Sequence, residues 1–246
     1  MTTASDLKTV IVTGVSRGLG LAICQKLAAL PGTRVVGISR TLSPEYQALQ
    51  AAHPDRVLFH AFDVGDIDGI GPLVTGIIRA HGRPWGLVNN AGIGPDGVLA
   101  TMHKTDIERV LRVNLTAPIT FCKYVSRAML AGRQGRIVNI SSIIASTGFH
   151  GLAAYAASKA GLEGLTRSLS REVGKMGITV NCVAPGYMET EMTGGLDAHS
   201  MASIRRRAPL GLPTVEDAAG AVVFLLGPEA KRITGTVLTV DGGSTA

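Results

Sequence analysis

Tyr155 and Lys159 stand four residues apart in the segment YAASK, and Ser142 lies thirteen residues before the tyrosine. On a helix, side chains at i and i+4 share one face, so a phenol and an ammonium group would be neighbours there. Such a pair suits proton delivery to an oxygen. An unperturbed phenol, with a pKa of about 10, is a poor acid at neutral pH, and an adjacent cation favours the phenolate. The tyrosine is therefore expected to titrate lower than a free one. Ser142, at the end of an apolar run, would hydrogen-bond and polarise the same oxygen. The bland alternative is a surface Tyr–Lys pair on an alanine-rich helix.

Far upstream, Gly14, Gly18 and Gly20 follow the run Val10–Thr13 and lead into a pattern carrying Leu19, Ile23 and Leu27. Glycine allows positive φ and lets backbone approach a pyrophosphate, and the helix start then offers free N–H groups to the phosphates. The spacing is G-x-x-x-G-x-G rather than the commoner G-x-G-x-x-G, so a plain glycine-rich turn stays open beside dinucleotide binding. At the end of the next strand, VVGISR places Ser39 and Arg40 where an NAD site would carry an acid. A carboxylate would repel a 2′-phosphate, whereas Arg40, helped by Arg17, can grip one. This favours NADP(H) over NAD(H), with two solvated arginines as the alternative.

These residues need a scaffold, and the chain alternates short β-branched runs with longer helical patterns. Strands are expected at Thr9–Thr13, Arg34–Ser39, Val57–Phe62, Gly86–Asn89, Arg136–Ser141, Thr179–Ala184 and Val237–Val240. Helices are expected at Gly18–Leu30, Ile67–His81, Thr105–Leu130, Ala153–Lys175 and Val215–Leu226, with a short one around Arg205–Arg207. Several strands are apolar throughout, as when helices cover both faces of a parallel sheet. The expected fold is α/β: a single-domain, doubly wound, Rossmann-type sheet of seven parallel strands, spanning residues 1–246. The irregular stretch from about 185 to 213 reads as a substrate loop or lid.

Composition excludes several other classes. A hydrophobic fraction of 46% with 17% charged residues supports a large core. No apolar run reaches the ~18–20 residues of a membrane span, and MTTASDLK lacks a secretory apolar stretch, so a cytoplasmic setting without a membrane is expected. Cys24, Cys122 and Cys182 have no metal or redox spacing and read as buried thiols; no metal is expected. The net charge of +6 is densest at Arg205–Arg207, read first as a solvated helix face and next as a site for a phosphate-bearing substrate. Only 4% of residues are aromatic, which speaks against nucleic acid.

Together these motifs resemble the short-chain dehydrogenase/reductase family across essentially the whole chain. The resembling segments are TGxxxGxG (Thr13–Gly20), Asp63-Val64, Asn89-Asn90-Ala91-Gly92, and Pro185-Gly186 with Thr190. The resemblance implies a catalytic set of Asn114, Ser142, Tyr155 and Lys159. It implies a cofactor set of Gly14, Ser16, Arg17, Gly18, Leu19, Gly20, Ser39, Arg40, Asp63, Val64, Asn90, Ala91, Gly92, Tyr155, Lys159, Pro185, Gly186, Met188 and Thr190. By the same resemblance, Lys159 holds the nicotinamide ribose, and Asn114's carbonyl holds a relay water at a helix kink. Pro118 cannot donate to that carbonyl; a mere bend is the alternative, in a helix that a Thr105–Glu108 capping box can start.

REVGKMGITVNCVAPGYMETEMT and ITGTVLTVDGG are similar to segments of 3-oxoacyl-[acyl-carrier-protein] reductases. That likeness implies NADP(H)-dependent reduction of a 3-oxoacyl thioester, with acyl-carrier protein as a candidate partner near Arg133 and Arg136. Phe149, Tyr187, Met188, Met192 and Leu196 would line an acyl groove or simply pack, and His150 reads as a loop residue at the pocket mouth. Small residues on the Tyr155 helix imply, by resemblance, a homotetramer. A reductase of a free sugar, polyol or cyclic ketone remains an alternative, as does a non-catalytic dinucleotide sensor.

Overall fold

Val10 and Val12 face one side of the first strand and Ile11 the other, and all three are buried. That alternation, apolar on both sides, forces the strand between two helical layers. The structure, a computed structural model, describes residues 7–189 and 198–246. Its strands are β1 (Lys8–Thr13), β2 (Thr33–Ser39), β3 (Val57–Ala61), β4 (Gly86–Asn89), β5 (Gly135–Ile140), β6 (Ile178–Pro185) and β7 (Val237–Val240). They form one parallel sheet in the order β3-β2-β1-β4-β5-β6-β7. The strand order reverses between β1 and β4, where such sheets open a crevice at their carboxyl ends.

The helices are α1 (Gly18–Ala28), α2 (Pro44–Ala52), α3 (Ile67–His81), α4 (Lys104–Leu111), α5 (Ala117–Gly132), α6 (Ile144–Thr147), α7 (Ala153–Val173), α8 (Ala198–Arg207) and α9 (Val215–Leu226). One core unites α1, α9 and Tyr46 of α2 with Val10, Val12, Val35 and Val183. The opposite core unites α3, α5 and α7 with Ile11, Val36, Leu87 and Ile137. The expected doubly wound architecture is thus present. Among the described residues, no helix is long and apolar enough to cross a membrane.

Three expectations need correction. The single helix over 105–130 is instead α4, a π-helical turn at Arg112–Thr116, and α5. In that turn Ala117 N–H donates to the Arg112 carbonyl, five residues back. Pro118 has no N–H, so it serves neither Asn114's carbonyl at i−4 nor Val113's at i−5. Nor does Thr105 start a capping box: α4 begins at Lys104, its cap residue His103 makes no side-chain bond, and Lys104 pairs with Glu108 at 3.5 Å. Finally, Arg136 is buried, its guanidinium lying 4.9 Å from the Trp85 ring centre, which withdraws it from any docking surface; Arg133 is exposed.

Ile137, fully buried in the interior strand β5, belongs to the core of this scaffold. Ile137→Ala is expected to lower unfolding free energy by ~2–5 kcal/mol, measured by urea titration.

Candidate active site

The glycine turn is built by contacts that leave no room for side chains. Gly14 has φ +72°, and a Cβ added there would lie 2.8 Å from the Ala91 Cα. At Gly20 an added Cβ would overlap the Gly14 carbonyl oxygen. Asn90 braces the turn, its Nδ2 donating to the carbonyls of Thr13 at 3.0 Å and Gly14 at 2.9 Å. Thr13 Oγ1 accepts from the N–H groups of Asn90 and Ala91, both at 3.0 Å. Ser39 Oγ accepts from Val15 N–H at 2.7 Å. The side chains of Asn90 and Ser39 therefore shape the cradle.

No side chain caps α1, so the amides at its start remain available to an anion. Gly18, Leu19 and Gly20 all line the cleft. Exposed Arg17 and Arg40 lie beside them. Positive-φ glycine, uncapped amides and flanking cations fit a dinucleotide.

The other end of the cleft gathers the proton-handling groups. Ser142 follows β5, while α7 carries Tyr155 and Lys159. Lys159 is buried, its Nζ donating to the Ile140 carbonyl at 2.8 Å and lying 5.5 Å from the Tyr155 ring centre. Two glycines pack against the pair. A Cβ at Gly92 would lie 3.4 Å from Lys159 Nζ, and one at Gly94 would lie 3.3 Å from the Tyr155 ring.

Desolvation pulls the Lys159 ammonium down to about 8, with nearby Cys182 acting the other way. Burial also pushes the Tyr155 phenol above its ordinary range, against the Ser142 hydroxyl. The expected downward shift of Tyr155 is therefore not a property of the chain alone, because desolvation outweighs the Ser142 hydrogen bond.

Asn114 is fully buried behind these groups. Its Oδ1 accepts from Ile93 N–H and its Nδ2 donates to the Ile93 carbonyl, both at 2.8 Å, with a further bond to Ser158 Oγ at 3.2 Å. Ser158 Oγ in turn donates to the Tyr155 carbonyl at 2.6 Å. The asparagine side chain is consumed in joining the Gly92–Gly94 loop to α7.

A continuous cleft of about 1750 Å³ runs between the two ends. Among the described residues, every expected catalytic or cofactor residue except Asn114 lines it. Thr190, with Met192 and Leu196 of the expected groove, lies outside the described residues. Phe149, His150, Tyr187 and Met188 line the cleft, with Phe149 and His150 exposed. Arg207 lines it as well, while Arg205 pairs with Glu189.

The structure adds Ser43, Ile93, Asp241 and Thr245 to the lining. Asp241 is tied down by its own turn, accepting from Gly243 and Thr245 N–H at 2.9 Å each, and Gly186 packs on it. The sequence signal for that turn was the Asp-Gly-Gly run itself.

The comparisons with known proteins agree with this geometry. A family model described as short chain dehydrogenase matches residues 8–200. The chain belongs to that family. It is similar to the 3-oxoacyl-[acyl-carrier-protein] reductase FabG of Vibrio cholerae, 40% identical over 237 residues and 96% of each chain. The proteins of the same name from Escherichia coli and Chlamydia muridarum are each 40% identical over 240 residues and 96% of both chains. Membership makes this an oxidoreductase acting between a carbonyl and an alcohol.

Burial of Lys159 has a measurable consequence for stability. Its folded pKa of about 8 lies below its ordinary 10.5, so between those values the unfolded chain holds the extra proton and stability rises with pH. Relative to a Lys159→Met variant, the wild type is expected to gain up to about 3 kcal/mol across that window in urea titrations.

Proposed function

We propose that the protein reduces a 3-oxoacyl thioester to its 3-hydroxyacyl form with NADPH, with acyl-carrier protein as the carrier. One observation carries this reading: a glycine cradle flanked by Arg40 shares a single cleft with Ser142, Tyr155 and Lys159. The names of the relatives support the substrate class. The exposed apolar rim of Val98 and Phe149 suits an acyl chain at the mouth.

When bound, reduced nicotinamide supplies the hydride that reaches the carbonyl carbon. Arg40 and Arg17 hold the 2′-phosphate by charge-assisted bonds, and the amides at the start of α1 hold the pyrophosphate. Ser142 donates a hydrogen bond to the substrate carbonyl oxygen and polarises it. Tyr155 gives its phenolic proton to that oxygen, becoming a phenolate.

Lys159 makes this possible in two ways. Its ammonium stabilises the phenolate in a site stripped of water, and its donors hold the nicotinamide ribose hydroxyls. The depressed lysine pKa means that it loses a proton readily, so it can pass one to Tyr155 after turnover. Refilling from solvent runs past the π turn, where Asn114's carbonyl holds the relay water and Pro118 offers no competing N–H. Pro185, Gly186 and Met188, which line the cleft, complete the nicotinamide end.

The assembly we propose is a homotetramer that uses α7, whose outward face is Ala157, Ala160 and Gly164, all exposed in the single chain.

Acetoacetyl-CoA with NADPH tests the assignment. The wild type should oxidise NADPH, and Tyr155→Phe should lower kcat by at least ~100-fold while NADPH still binds. Unchanged turnover in that variant would remove Tyr155 as the acid, and turnover confined to free sugars or cyclic ketones would overturn the substrate.

A further inference from the structure

We infer that Tyr46 is a positioning residue for NADPH selectivity: it pins the start of α2 to the sheet and so fixes the short loop that presents Arg40. The inference rests on the reading that Arg40 holds the 2′-phosphate.

Arg40, Thr41 and Leu42 are exposed, so the loop's place is set by its two ends. At the β2 end, Ser39 Oγ accepts from Val15 N–H at 2.7 Å. The other end is Ser43, which caps α2 by accepting from Tyr46 N–H at 3.2 Å, and whose carbonyl accepts from Gln47 N–H at 2.9 Å.

Tyr46 is the one fully buried residue of α2. Its ring occupies the space over Gly37, where an added Cβ would overlap the hydroxyl and lie 2.8 Å from Val15 Cγ2. Both ends of the loop therefore converge on one glycine of β2, through Val15 on one side and Tyr46 on the other. The phenol, tilted against Phe59 at 5.6 Å between ring centres, donates to the Leu58 carbonyl at 2.9 Å. A buried hydroxyl is costly unless bonded, and this bond fixes how deeply the ring sits. The rest of α2 attaches weakly, through partly buried Leu49 and a 3.4 Å bond from Gln50 to the Val57 carbonyl.

Tyr46→Phe keeps the ring and removes the hydroxyl, with its bond to the Leu58 carbonyl and its contact with the buried Cys24 thiol of α1. Fluorescence titration should show NADPH Kd raised about fivefold, a change of the size one hydrogen bond gives, with NADH Kd unchanged. Turnover at saturating NADPH should also be unchanged. In an Arg40→Ala background, the same substitution should have no further effect on NADPH. Leu49→Ala, which loosens α2 away from the loop, should lower the urea midpoint without changing the NADPH-to-NADH ratio.

Equal weakening of both cofactors by Tyr46→Phe, or additivity with Arg40→Ala, would overturn the inference and leave Tyr46 a packing residue. If Arg40→Ala abolishes the NADPH preference but Tyr46→Phe leaves it intact, the inference alone fails. If Arg40→Ala itself leaves the preference intact, the phosphate reading fails and the inference falls with it.

Discussion

The Lys159 ammonium is buried, and among the described residues no carboxylate pairs with it. Its Nζ donates to the Ile140 carbonyl at the carboxyl end of β5. A cation in that position is expensive for folding, and burial shifts its titration towards neutrality instead. In the mechanism we propose, the same desolvation makes the ammonium effective. In the water-poor pocket its field on the Tyr155 phenol is stronger than it would be at the surface. Elsewhere α7 is bonded to the sheet: Ser141 donates to Glu163 at 2.9 Å and Asn139 to Thr166 at 2.8 Å.

Sheet topology explains why the cofactor cradle and this ammonium share a cleft. The order reversal puts β1 beside β4 and β4 beside β5, so the turns after these strands open at one edge. Gly14, Gly92 and Ser142 thus become neighbours although they are distant in sequence. Asn90 and Asn114 then work as braces: one ties the β4 turn to the β1 turn, the other ties it to α7. The two ends of the site are joined by side chains that need never touch a substrate.

Much of this was legible in the residues. The strands emerged within about a residue, and α3 and α9 had the expected bounds, because their caps, Asp66 and Thr214 with Asp217, are local signals. Helix α2 was not legible, since one buried tyrosine makes no apolar period. The break at Arg112–Thr116 was hidden for a related reason: apolar spacing barely distinguishes i−4 from i−5 bonding, and Pro118 was the only sign. Charge misled at Arg136, which reads as surface but stacks on Trp85. Type and spacing pointed to Tyr155, Lys159, Ser142, the glycine turn and Arg40, whereas Asn114 and Asn90–Gly92 came from the family resemblance. The consumed side chain of Asn114 and the raised pKa of Tyr155 depend on burial that no local pattern encodes.

The central claim is that one cleft brings a hydride donor and a phenolic acid to the same carbonyl. Incubating the protein with acetoacetyl-CoA and NADPH deuterated at the transferable C4 position, then locating the label by NMR, tests this directly. The account predicts deuterium on the carbinol carbon of the 3-hydroxyacyl product. A reduced product carrying no deuterium at that carbon, or NADPH that binds and is never oxidised by any 3-oxoacyl thioester, would contradict it.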